Sequence, residues 1–93
     1  MIIVEVRSLS YVKDHLGSKS FEYEIEESKN VYELLQALDK EYGVGRLIYD
    51  DEGNINQHTT IILRGWNAAL LKEEDLILRN GDIVLIMPAL GGG

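Results

Sequence analysis

Gly91, Gly92 and Gly93 follow directly on an apolar, strand-like run, and their chemistry is that of an end rather than of a pocket. Glycine has no Cβ, so a backbone made of it passes through a narrow channel. It also leaves a terminal carboxylate unhindered. Such a carboxylate is a poor acyl donor until it attacks a nucleotide phosphate and becomes a mixed anhydride. A sulfur or nitrogen nucleophile can then take the acyl group. The sequence therefore points to a carrier or a tag whose working group is the Gly93 carboxylate, with Gly92 giving steric clearance.

Pro88 is the only proline and cannot donate to a strand ladder. It should end the last strand and stiffen the exit of a flexible arm, Ala89-Leu90-Gly91-Gly92-Gly93. Five extended residues reach about 17 Å, enough to enter another protein's active site. Fixing each of them costs roughly 1–2 kcal/mol of backbone entropy. A partner must then draw most of its binding from the folded body, where Met87, Leu90 and apolar residues on the sheet are the candidate contacts. The division expected is a folded domain over 1–88 and a tail over 89–93.

The 93 residues suffice for one domain, and 45% hydrophobic content allows a modest core. The absence of cysteine removes disulfides, thiolate metal sites and a thiol nucleophile. A formal charge of −7 with nine scattered Lys and Arg argues against nucleic acid, whose phosphates need a basic face. Such acidity serves solubility and also suits basic docking surfaces. No apolar run approaches a membrane span and the start lacks a charged leader, so a cytoplasmic protein is expected.

The elements that must hold the tail read out in order. Ile2 to Val6 is a first strand. Phe21, Tyr23 and Ile25 alternate with Glu22, Glu24 and Glu26, a period of two with one face inward. A loop around His15-Leu16-Gly17-Ser18 would make these an antiparallel pair. Asn30 and Glu33 form a capping-box pattern ahead of a helix, which puts Val31, Leu34, Leu35, Leu38 and Tyr42 on one face and stops at Gly43. Thr60 to Arg64 is a third strand and Gly65-Trp66-Asn67 a turn. Asn80-Gly81-Asp82 is a turn into Ile83-Val84-Leu85-Ile86-Met87, apolar at every position and hence read as a central strand covered on both faces. The order strand-strand-helix-strand-strand gives an α+β domain with a mixed sheet, one helix across it, and the chain leaving from the middle.

Other residues read more simply as structure. Asp50-Asp51-Glu52-Gly53-Asn54 is acidic, but a calcium loop starting at Asp50 would have Ile55 and Ile61 where Gly and a bidentate Glu belong. Trp66 is a partner anchor or, more simply, the edge of its own core. His15 and His58 lack metal-ligand spacing, and Glu73-Glu74-Asp75 is a solvated face.

Taken together, Val6-Arg7, His15-Leu16-Gly17, the helix Val31–Leu38, the turn Leu78-Arg79-Asn80-Gly81-Asp82, the last strand, Pro88 and Gly92-Gly93 resemble the MoaD/ThiS sulfur carriers. That resemblance, closest to MoaD, implies a ubiquitin-like β-grasp fold with a mixed four- to five-stranded sheet. It implies an E1-like adenylyltransferase of the MoeB/ThiF kind that uses ATP and magnesium on Gly93, with no cofactor bound to the chain itself. A sulfur donor would give a Gly93 thiocarboxylate. The carrier would then serve, without catalysis of its own, as the small subunit of molybdopterin synthase beside a MoaE-like large subunit. Pro88, Leu90, Gly91 and Gly92 would line the partner contact, with Met87 where the family often docks through an apolar residue. The alternative is a ubiquitin-like modifier joined to target-protein lysines through the same glycine. The chain departs from the family in having Ala89 after Pro88, a third glycine at Gly91, and Arg64-Gly65-Trp66 in place of an Asn-Gly turn.

Overall fold

The computed structural model describes residues 1–8 and 20–88. The His15-Leu16-Gly17 segment and the five tail residues from Ala89 to Gly93 lie outside the described residues. Strands β1 (Ile2–Ser8) and β2 (Ser20–Ile25) pair antiparallel, Val4 opposite Tyr23 and Val6 opposite Phe21. Helix α1 (Val31–Tyr42) follows, then a single turn α2 (Gly45–Ile48). Strands β3 (Thr59–Leu63) and β4 (Trp66–Asn67) form a hairpin. Two 3₁₀ turns, Ala68–Leu70 and Glu73–Leu76, lead to β5 (Ile83–Pro88). The sheet order is β2-β1-β5-β3-β4, with β1 and β5 parallel and the other pairs antiparallel.

Helix α1 starts where the sequence predicts. Asn30 Oδ1 accepts the Glu33 amide at 2.9 Å, and a Glu33 carboxylate oxygen accepts the Asn30 amide at 3.0 Å. Two of the four N–H groups orphaned at a helix start are thereby paired. The helix ends at Gly43, whose φ of 70° is costly for any residue with a Cβ. Val31, Leu34, Leu35 and Leu38 are fully buried against Val4, Val6, Leu63, Val84 and Ile86. Tyr42 departs from this stripe. It is 37% exposed and meets Phe21 at a ring-centroid distance of 5.7 Å, closing the rim of the core rather than filling it.

Two expectations need correction. The turn after β3 is Arg64-Gly65, not Gly65-Trp66-Asn67. Both of its residues have positive φ, 52° and 82°, as a two-residue hairpin loop requires, and this releases Trp66-Asn67 to pair as β4. Strand β5 is central in the hydrogen-bonding direction but covered on one face only. Val84 and Ile86 are buried under α1, while Ile83 is 40% exposed and Leu85 and Met87 are half-buried on the other side. Among the described residues no second layer covers that side.

Truncating Leu35 to Ala should therefore cost about 2–5 kcal/mol in urea denaturation, since a fully buried leucine leaves a cavity at the helix–sheet seam. The Glu33 carboxyl is held below its usual value of 4.5, first by the Asn30 amide and then by Lys29. Its stabilising role is thus present above pH 4.5 and lost as pH falls through the lower folded value. An NMR titration of the Glu33 side chain should show a midpoint under 4.5, and a midpoint above it would contradict the capping box.

Candidate functional site

The last described residue before the tail is Pro88, half-buried opposite Thr59 in the β3–β5 ladder. Its root is braced from the helix side. Thr59 Oγ1 donates to the Leu47 carbonyl at 3.2 Å, and Asn56 Nδ2 donates to the same oxygen at 2.9 Å. The Asn56 amide donates to the Ile48 carbonyl at 2.7 Å. Helix α2 and the loop behind it therefore act as a buttress under the start of β3. Among the described residues β5 is paired to β1 as far as Ile86, opposite Ser8, and to β3 as far as Pro88, so the root of the tail is held by β3.

At its other end β5 is fixed by the Asn80-Gly81-Asp82 turn. Gly81 donates to the Ile3 carbonyl at 2.8 Å, Glu5 to the Asp82 carbonyl at 2.8 Å, and Ile3 to Asn80 Oδ1 at 2.9 Å. The Asp82 carboxylate is buried. It accepts the Arg79 amide at 2.8 Å and Arg64 Nη1 at 2.6 Å, while Arg64 Nη2 donates to the Asp75 carbonyl. A buried carboxylate requires such pairing. The leucine-x-x-glycine-aspartate pattern was visible in the sequence, but Arg64 as its partner was not, because 18 residues separate the two.

One face of the sheet is uncovered among the described residues. Ile62, Ile83 and Leu85 lie side by side there by register, with Met87 next to Thr60 toward the tail root. Glu5, Arg7, Glu22 and Glu24 border them on β1 and β2, and Arg7 pairs with Glu5. Met87, foreseen as a docking residue, therefore sits at one end of a stripe whose middle is Leu85 and Ile62. Leu85 is recoverable from β5 being apolar at every position once one face is known to be free, and Ile62 follows from its place on β3 opposite Leu85. Gly91, Gly92, Gly93 and Leu90 lie outside the described residues.

Asp50 spends its carboxylate on the Glu52 and Asn54 amides at 2.9 and 3.0 Å, which makes a turn rather than an ion site. The described residues contain no cluster of three or more His, Asp or Glu groups able to hold a metal, and His15 lies outside them. A cavity of 510 Å³ between β2 and α1, lined by Met1, Lys29, Glu33 and Lys40, opens at the end of the sheet away from Pro88. Burial, and secondarily the Asp39 charge, raise the Tyr49 hydroxyl above its usual pKa, so it stays a neutral phenol. Trp66 is 65% exposed, so it does not cap the core edge as the sequence suggested. No helix of the described residues is long and apolar enough to cross a membrane.

Replacing Asp82 with Ala should cost about 1–3 kcal/mol by leaving Arg64 and the Arg79 amide without their acceptor. Urea denaturation checks it, with Glu52→Ala, an exposed surface change, staying within about 0.5 kcal/mol.

Known proteins share the family and the fold of this chain. The ThiS family model matches residues 11–93. A curated protein of Haloferax volcanii, small archaeal modifier protein 3, is 28% identical over 97% of this chain and 98% of its own length. The crystal structure of small archaeal modifier protein 1 from the same organism superposes with a TM-score of 0.83 at 19% identity, covering 97% of this chain and all of that one. A putative molybdopterin converting factor subunit 1 from Pyrococcus furiosus gives 0.74 at 20% identity, covering 97% and 100%. These superpositions establish the ubiquitin-like β-grasp fold that the sequence suggested.

Proposed function

The chain belongs to the ThiS family, and from that premise we propose that Gly93 is its working residue and that its carboxylate is activated by a partner enzyme. The observation that carries this is the root of the tail. Pro88 ends a strand hydrogen-bonded on both sides, and the uncovered apolar stripe of Ile83, Leu85 and Met87 lies on that same strand. An E1-like adenylyltransferase docks on the stripe and receives the tail. The Gly93 carboxylate attacks the α-phosphorus of ATP, and pyrophosphate leaves. Hydrosulfide released by the sulfur donor then attacks the Gly93 carbonyl carbon, AMP leaves, and the product is a thiocarboxylate. The chain is thus the substrate of this chemistry, and catalysis belongs to its partners.

For the fate of the sulfur, the first reading is donation in molybdopterin synthesis, with this chain as the small subunit of the synthase. The likeness to the Pyrococcus molybdopterin converting factor supports it. A second reading is a protein modifier that forms isopeptide bonds with target lysines through the same glycine. It is favoured by the 28% identity, across nearly full length, to a protein named as a modifier.

Intact mass after incubation with ATP, magnesium, the E1-like enzyme and a sulfur source should rise by the exchange of one oxygen for sulfur, located at Gly93. Deleting Gly93 should abolish the gain while leaving the denaturation midpoint unchanged, and a gain that survives the deletion sinks the glycine-tip mechanism. Leu85→Glu should slow activation at least tenfold with the fold intact, since it places a charge in the docking stripe. Lysine adducts in cell extracts, against turnover of a pterin precursor with the large subunit, separate the two fates.

A further inference from the structure

Trp66 and Leu70 are 65% and 78% exposed, well away from the open face's Leu85–Met87 stripe. With Leu71, Arg64, Asp75 and Arg79 they line a hollow of 470 Å³. An exposed tryptophan beside an exposed leucine is the composition of a contact surface. The charges around it decide what the contact is. Arg64 is already taken up by the Asp82 carboxylate and the Asp75 carbonyl. The Arg79 guanidinium and the Asp75 carboxylate have no ion-pair partner among the described residues. The hollow thus offers an apolar centre with one uncommitted charge of each sign.

Such a surface is complementary to itself, because in a two-fold contact each residue meets its counterpart's neighbour in both directions. Elsewhere the −7 molecule repels a copy of itself, as at the β2 edge, where Glu22, Glu24, Glu26 and Glu27 are all exposed. We propose that this hollow is the contact between two copies of the chain. Trp66 and Leu70 of each copy pack across the axis, and Arg79 of each meets Asp75 of the other. Trp66 pairs with Leu63, which pairs with Val84 at the beginning of β5. Pro88 is at the other end of that strand, on the order of 15 Å away at about 3.3 Å per residue. Both tail roots therefore stay outside the contact, so dimerisation is compatible with tail activation and does not depend on it.

Sedimentation of the full chain from about 1 μM to about 1 mM, a range suited to a small interface, tests this. The mass should move from one copy to two. The emission of the single tryptophan should shift to the blue over the same range. Leu70→Glu should remain one copy throughout with an unchanged circular dichroism spectrum. Arg79→Asp should weaken dimerisation at least tenfold, and the double exchange Arg79→Asp with Asp75→Arg should restore it. A single-copy mass up to about 1 mM overturns the proposal, as does a dimer insensitive to Leu70→Glu or a double exchange that fails to restore.

Discussion

Everything in this fold hangs on the parallel pairing of its first and last strands. Glu5 to Ser8 run alongside Ile83 to Ile86 at the centre of the sheet. Parallel strands cannot be joined by a tight turn. The whole chain between them must therefore act as one long crossover, with α1 laid over the sheet on the way. In return, β5 is hydrogen-bonded to β1 on one edge and to β3 on the other, and the tail begins at a fixed point.

Most of this was legible because local signals agreed with the global result. Asn30 with Glu33, the spacing of Leu34, Leu35 and Leu38, and Gly43 specify α1 almost residue by residue. The alternation through Phe21, Tyr23 and Ile25 specifies β2 and its inward face. What could not be read depended on depth and on distance along the chain. An apolar strand looks the same whether both faces are covered or one is open, so the sequence of β5 reads as buried on both sides. Arg64 gave no hint of Asp82, because their contact exists only after β3 and β5 have paired. The hairpin turn was placed one residue late, since Arg64 is an unusual residue at positive φ.

The site follows the same division. The proposed chemistry rests on three glycines legible in the sequence, while the open face near the tail root is not legible there. That face arises from an economy in the fold: one helix covers one face, and the other face keeps Ile62, Ile83 and Leu85 half-open. Strand β5 anchors the core through Val84 and Ile86 and leaves Ile83, Leu85 and Met87 on the open face, where docking is proposed. A substitution in β5 is therefore expected to act by alternate positions, on stability at Val84 and Ile86 and on the proposed docking at the residues between them.

The parallel arrangement also sets how the molecule bears load. A force applied at Ile2 and at Pro88 pulls along two neighbouring strands in opposite directions, sliding one past the other. The rungs between β1 and β5 are then stressed together, not opened one at a time as a zipper opens. Rupture requires several hydrogen bonds to fail at once, and forced unfolding is governed by that barrier. A domain anchored through its first strand and hauled by its tail would therefore behave as a mechanical clamp.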